Sequence, residues 1–216
     1  MGYFKEVPNL EYQSFLKDKL SSQDYLVVKN FFRRVKLRDD LDSIFTLFTK
    51  YTINDGLRPD NVAEQLYGNP ELDWVVLITA GIINVKNEWP LRTDELYRYS
   101  ERKYGLDYIN AARHYETELV KDSRGRMILP RGLIVDANFT IPDPSNSSAT
   151  LNPVVPVTNF QYETRENDKK RQIYVLKDAY LPDFLSDTRQ LMLYTESSEY
   201  INELLIRTEN TETKSP

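Results

Sequence analysis

His114 is the single histidine of the chain, and cysteine is absent. One imidazole cannot make a His–His metal pair or a two-histidine relay. Without thiols there is no cysteine nucleophile, no disulfide and no cysteine-based zinc or iron–sulfur site. The seven glycines, at 2, 56, 68, 81, 105, 125 and 132, fall into neither the GxGxxG nor the GxxxxGK[ST] spacing, so neither common phosphate cradle is present. No GxSxG elbow occurs. Catalysis would rest on carboxylates, lysines and hydroxyls, which any soluble protein carries in number. His114 lies among mixed polar and apolar residues and reads as a packed or surface histidine of a strand, because a triad has no second partner to build on. These residues point away from an enzyme, and to no metal and no cofactor.

The residue types that stand out are suited to contact instead. Fifteen tyrosines, nine phenylalanines and two tryptophans supply side chains that bury a large area, and Tyr and Trp also keep a polar tip. The run Phe31-Phe32-Arg33-Arg34 joins aromatic and arginine side chains, both enriched at binding hot spots. Arg33, Arg34, Lys36 and Arg38 form a basic cluster, followed by Asp39, Asp40 and Asp42. The cluster reads either as a solvated face or as a docking patch for an acidic partner. The net charge of −5 argues against nucleic acid as the main partner. No apolar run is long enough to span a bilayer. The N-terminus has neither the basic start nor the apolar core of a signal peptide, so Asn138-Phe139-Thr140 and Asn146-Ser147-Ser148 read as chance triplets.

The elements that carry these residues follow from pattern. Residues 1–23 form an apolar arm without sustained period, expected to lie across another surface. Val28, Phe31, Phe32 and Val35, then Leu41, Ile44, Phe45 and Phe48, each show i, i+3, i+4, i+7 spacing and predict two helices, with strand as the competing reading because Val and Phe favour sheets. Tyr51-Thr52-Ile53 reads as a strand and Asn54-Asp55-Gly56 as a turn. Pro59 opens a helix bearing Val62, Ala63 and Leu66, and Tyr67-Gly68 closes it with Gly68 as a left-handed cap. Asn69-Pro70 starts a second helix with Trp74, Leu77 and Ile78 on its buried face. Arg92–Tyr104 is expected to be helical. His114–Val120 and Met127–Val135 read as two strands around Asp122-Ser123-Arg124-Gly125. Four prolines (142, 144, 153 and 156) make 137–160 a stiff linker. Beyond it Gln172–Leu176 is strand-like. Leu185, Met192 and Tyr194, then Tyr200, Ile201, Leu204 and Leu205, suggest helical pieces. The last nine residues are polar and expected to be disordered.

Two resemblances attach to these residues. The run Tyr51-Thr52-Ile53-x-x-Gly56…Val62-Ala63-x-x-Leu66-Tyr67-Gly68…Trp74…Asn84 resembles a LysM module. That family has a β-α-α-β fold and usually binds N-acetylglucosamine polymers such as peptidoglycan. Its first loop usually carries Gly-Asp-Thr, where this chain has Gly56-Leu57-Arg58-Pro59. Leu129-Pro130-x-Gly132-Leu133-Ile134-Val135 resembles the closing strand of that module.

A longer set of pieces is similar to the small baseplate wedge protein family of T-even-type contractile-tailed bacteriophages. These are Tyr3-Phe4…Pro8, Val28–Val35, Tyr51–Asp60, Leu66-Tyr67-Gly68, Asp73–Leu77, Trp89-Pro90-Leu91, His114-Tyr115-Glu116 and Lys170–Ile173. The resemblance covers most of positions 3–180. It implies a structural component of the virion that joins adjacent wedges around the tail hub, assembled in the host cytoplasm. Its partners would be other wedge proteins and the hub. Peptidoglycan binding by the LysM-like module is the alternative.

Together these readings predict an α+β protein: a small LysM-like β-α-α-β module with an insertion, flanked by extended N- and C-terminal segments. Residues 1–49 would be arm and docking segment, 50–136 the module with an insertion at about 85–127, 137–160 the linker and 161–216 a C-terminal interaction segment. The expected module core is Tyr51, Gly56, Ala63, Leu66, Tyr67, Gly68, Trp74 and Ile78. The expected protein-interface residues are Tyr3, Phe4, Phe31, Arg33, Arg34, Trp89, Arg171 and Ile173.

Overall fold

Residues 2–13, 25–37 and 46–207 are described by a computed structural model. The chain runs through α1 (Tyr3–Glu6), β1 (Asn9–Gln13), β2 (Tyr25–Lys29), β3 (Phe48–Thr52), α2 (Pro59–Tyr67), α3 (Asp73–Thr79) and α4 (Val85–Glu88). It continues through α5 (Thr93–Tyr104), β4 (Ala112–Thr117), β5 (Val120–Lys121), β6 (Met127–Leu129), β7 (Ile134–Val135), β8 (Ile141–Asp143), β9 (Asn146–Leu151), β10 (Val154–Thr158) and α6 (Asn159–Lys170). It ends with β11 (Gln172–Leu176), α7 (Leu181–Met192), β12 (Tyr200–Asn202) and β13 (Leu205–Arg207). The fold is α+β.

Two compact units result. One comprises Met1–Ile53, Leu57–Glu88 and Ile173–Pro216; the other comprises Asn54–Gly56 and Trp89–Gln172.

In the first unit, local chemistry sets the helix pair. Pro59 begins α2, where a missing N–H costs nothing. The Asn61 side chain accepts from the Arg58 N–H at 3.3 Å. Gly68 ends the helix at φ 67°, a left-handed conformation that costs a glycine little, and its N–H donates to the Glu64 carbonyl. Asn69 then caps a short 3-10 turn by accepting from the Glu71 N–H at 2.9 Å, and α3 follows. Trp74, Val75, Leu176 and Leu181 form the core, with Tyr3, Phe48, Tyr67, Leu72, Ile78, Phe184 and Leu185 packed on it. The Tyr67 hydroxyl donates to the Leu176 carbonyl at 2.9 Å, so its polar tip is satisfied where its ring is buried.

A strand does return beside β3, but it is β11 and not the Met127–Val135 segment. That segment pairs elsewhere: β6 with β5, and β7 with β4. The two candidates are chemically alike, short apolar runs after a turn, and only long-range packing distinguishes them. The stretch between α3 and the strand that pairs with β3, residues 80–171, is therefore much longer than 85–127.

The first unit also holds a four-stranded sheet ordered β12-β13-β1-β2. β1 runs parallel to β13 and antiparallel to β2. Three expectations are corrected here. The N-terminal segment is not a free arm: Tyr3 joins the core, Val7 and Pro8 are buried, and β1 is an inner strand. Val28, expected on a helix, lies in strand β2, where the run Leu26-Val27-Val28 satisfies the β-preference of branched side chains. Phe31, Phe32 and Val35 lie in non-helical chain. Tyr200–Leu205, also expected to be helical, contributes to β12 and β13. Leu41, Ile44, Phe45 and the last nine residues lie outside the described residues.

The second unit is built on the antiparallel sheet β10-β4-β7, with hairpins β5-β6 and β8-β9 and helices α5 and α6. Residues 137–160 are folded and not a linker. Pro142 lies in β8, Pro156 lies in β10, and Val157 is buried. β8 and β10 are both edge strands, where the absent proline N–H breaks no inner ladder. Thr158 and Gln161 form a reciprocal capping box at the start of α6. Buried Asn167 spans the Leu91 backbone, accepting from its N–H at 2.7 Å and donating to its carbonyl at 2.9 Å. Asp55 accepts from Arg171 at 2.7 Å and from the Thr93 hydroxyl at 3.1 Å, tying residues 54–56 to both ends of the longer segment.

Candidate protein-interaction surface

The most exposed apolar surface of the first unit is carried by β2 and the turn after it. β2 ends the four-stranded sheet, and among the described residues no strand covers its outer edge. Its pairing with β1 matches Asn9 to Lys29 and Leu10 to Val28. Just beyond that register the Asn30 N–H donates to the Pro8 carbonyl. In an antiparallel ladder the paired residues alternate, so Leu26 and Val28 bond inward and the backbone groups of Tyr25, Val27 and Lys29 face outward. The Lys29 carbonyl is already taken by the Phe31 N–H. Tyr25, Leu26, Val27 and Val28 are all exposed, Val27 to 60 %. Period-2 burial fails in this strand: its first four residues are all exposed, although Arg207 stacks over the Tyr25 ring at 4.6 Å.

The Arg33 N–H bonds back to the Asn30 carbonyl and the Asn30 side chain accepts from the Phe32 N–H, closing a tight turn. Phe31 and Phe32 occupy its two corners, which explains exposures of 68 % and 95 %. The turn is held from behind. Asn30 donates to the Tyr194 hydroxyl at 2.8 Å. Arg33 donates to the carbonyls of Leu191 and Leu193 at 3.0 and 2.9 Å and stacks over Tyr194, 5.1 Å from the ring centre. A file of edge-on and tilted aromatic contacts joins the turn to the core. Phe31 meets Phe4 at 5.5 Å, Phe4 meets Tyr3 at 5.8 Å, and Tyr3 meets Trp74 at 5.6 Å between ring centres.

The expected interface residues therefore divide. Phe4, Phe31, Arg33 and Arg34 cluster within one unit at this turn, with Phe4, Phe31 and Arg34 exposed. Tyr3 is core-packed, Trp89 and Ile173 are buried, and Arg171 is occupied by Asp55 and Asp168. Those four are structural, and their aromatic or charged character gave no means of telling core from contact. Of the expected module core, Ala63 and Trp74 are buried, and Leu66, Tyr67 and Ile78 are partly buried. Tyr51 donates to Gln65 at 2.8 Å, and Gly56 and Gly68 take positive φ. The edge strand is the competing reading of this segment, which helical spacing outweighs in the sequence. The consecutive residues Leu26-Val27-Val28 were its signal.

The densest polar cluster lies in the second unit. Glu163 accepts from Lys103 at 2.8 Å and from the Tyr104 hydroxyl at 2.6 Å. Arg113 donates to the same hydroxyl and stacks 3.9 Å from the Tyr162 ring centre. Burial opposes ionisation of Glu163, but the Lys103 and Tyr104 hydrogen bonds outweigh it and hold the carboxyl below its ordinary range. His114 bonds to Glu116 at 2.9 Å, and Glu116 also accepts from Arg165 at 2.6 Å. Arg165 and then His114 hold the Glu116 carboxyl low. Each of these groups is spent on a partner, as in an ion-pair network that fastens β4 to α6. Among the described residues no cluster of His, Asp or Glu suits a metal ion, and no helix is long and apolar enough to cross a membrane.

What these elements present is exposed apolar surface in the first unit and polar groups already paired with one another in the second. The chain belongs to the family of the phage base plate wedge protein 53, whose model matches residues 9–122. That range runs from β1 into the β5-β6 hairpin, and so includes β2, the Phe31-Phe32 turn and the α2–α3 pair. No curated protein matches the chain. Membership gives it a structural role in the phage tail baseplate among other baseplate components.

Proposed function

We propose that this protein joins adjacent wedges around the central hub as the tail baseplate assembles in the host cytoplasm. The observation that carries this reading is the exposed β2 edge with its Phe31-Phe32 turn, on a chain of the wedge family. A joining protein needs a rigid body that presents apolar, hydrogen-bonding surface to a neighbour, and the stacking of Phe31, Phe4 and Tyr3 onto Trp74 supplies the rigidity. The interface in this reading includes Phe4, Phe31, Arg33 and Arg34. The order β3, α2, α3, β11 supports a LysM-like module interrupted by the second unit. In that module Trp74 serves the core and Gly56-Leu57-Arg58-Pro59 replaces the usual glycan-side loop. The module then acts as a scaffold, and glycan capture is the second reading.

The test is reconstitution. Purified wedges lacking this protein are mixed with it and the products sized by sedimentation and electron microscopy. Closed rings that form only with the protein support the role. Rings that form equally well without it would refute the role, and retention on peptidoglycan in a parallel assay would favour the second reading.

A further inference from the structure

We infer that the β2 edge is a strand-addition site, taking an extended acidic segment of a neighbouring baseplate protein as a fifth strand of the β12-β13-β1-β2 sheet. This deepens the wedge-joining role and rests on it. Native proteins usually blunt a free strand edge with charge, proline or a bulge, because unpaired N–H and C=O groups recruit other chains. β2 carries no proline, its ladder with β1 shows no register shift, and its only charged residue is the final Lys29. The outward backbone groups of Tyr25 and Val27 and the Lys29 N–H are placed to continue a ladder. Side chains of such an edge, exposed on both faces, offer alternate pockets to an incoming strand.

The charge specifies the occupant. From Tyr25 to Arg34 the chain holds three cations, Lys29, Arg33 and Arg34, and no carboxylate, on a protein of net charge −5. Lys29 and Arg33 spend hydrogen bonds on the carbonyls of Val7, Leu191 and Leu193, and neither has a carboxylate partner among the described residues. Arg34 is exposed, with no carboxylate partner among the described residues. Asp39, Asp40 and Asp42 follow in sequence, outside the described residues. A strand that enters beside Val27 and runs past the turn meets apolar side chains, then Lys29, then Phe32, then Arg34. An acidic segment with an apolar residue to cover Phe32 matches that order.

The test uses full-length protein and purified wedges lacking it, with affinity read by sedimentation. Val27→Pro removes one outward N–H and leaves the β1 ladder intact. Phe32→Ser and Arg34→Glu alter exposed side chains only, and so keep the test decisive if the proline variant misfolds. Circular dichroism establishes that each variant is folded. Each folded variant is expected to bind wedges about tenfold or more weakly, the scale of a lost hot spot, and the Arg34→Glu loss should shrink as salt rises. Wild-type affinity in all folded variants overturns the strand-addition site and leaves the joining role standing. Failure of the wild-type protein to bind wedges overturns both. Self-association that Val27→Pro abolishes, with wedge binding unchanged, assigns the edge to a second copy and overturns the acidic partner.

Discussion

Trp74 lies between the hydrophobic core of the first unit and its surface turn. Its ring meets Tyr3 at 5.6 Å and Phe184 at 6.0 Å, so truncation empties the core and also cuts the aromatic file at its base. Trp74→Ala should cost about 3–5 kcal/mol, the usual range for a buried large aromatic, read as a lowered melting temperature. An unchanged melting temperature would contradict its place in the core. Glu163 poses an electrostatic question. Its carboxyl is held below the ordinary carboxylate value of about 4 by Lys103 and Tyr104 against the effect of burial. A depressed carboxylate contributes fully above the unfolded value, and its contribution fades as pH falls through the lower folded one. Glu163→Gln should therefore cost about 1–3 kcal/mol at neutral pH and less in acid, where the wild-type group is also protonated. Thermal melts of both proteins across that range check the convergence.

At the scale of elements, the N-terminal segment has a different role from the one its irregular pattern suggested. β1 is bonded on both sides, by β13 and β2, and α1 brings Tyr3 to the core. Glu6 pairs with Arg189, and Lys5 pairs with Glu71. Removing residues 1–13 should unfold much of the first unit and leave the second intact, visible as the loss of one of two thermal transitions. A truncated protein with both transitions would make the segment dispensable to the fold.

What was legible in the sequence was local. Pro59 and Gly68 bound α2 because a missing N–H and a positive φ are properties of single residues. Arg92–Tyr104 was readable as a charged run around apolar Leu96 and Tyr97, and it contains no glycine or proline to break α5. Strand β2 was legible only as the lesser of two readings, because Val28, Phe31 and Phe32 match helical spacing by accident while Asn30 turns the chain between them. The identity of the strand beside β3 was equally hidden, since strand pairing depends on a partner far away along the chain. Of the residues marked by type as interface, Phe31, Arg33 and Arg34 gather at the turn proposed for interaction, whereas Tyr3, Trp89, Arg171 and Ile173 share those types and pack or pair within the fold.

For the whole molecule, the two units differ in how they are written into the chain. The second is almost one uninterrupted stretch, Trp89–Gln172, with only Asn54–Gly56 added. Its buried Trp89, Leu96, Ile109, Val120 and Val157 all lie inside that stretch. Expressed alone, residues 89–172 should give a cooperative melt, at a lower temperature than in the full protein because the Asp55 bonds to Arg171 and Thr93 are gone. A featureless melt would make the second unit dependent on the rest.

The pairing of β3 with β11 has a consequence for birth on the ribosome. β3, α2 and α3 emerge early, but the strand that completes them is not made until residues 172–176. At about 5–20 residues per second the first-made helices wait several seconds for it. In that interval the second unit can fold, while the outer edge of β3 and the apolar faces of α2 and α3 stay open. The early-synthesised half is thus the last to mature, and it is the half that carries the β2 edge. A nascent chain stalled with α6 just outside the ribosome and β11 still inside it should protect the second unit from protease and leave α2 and α3 open to cleavage.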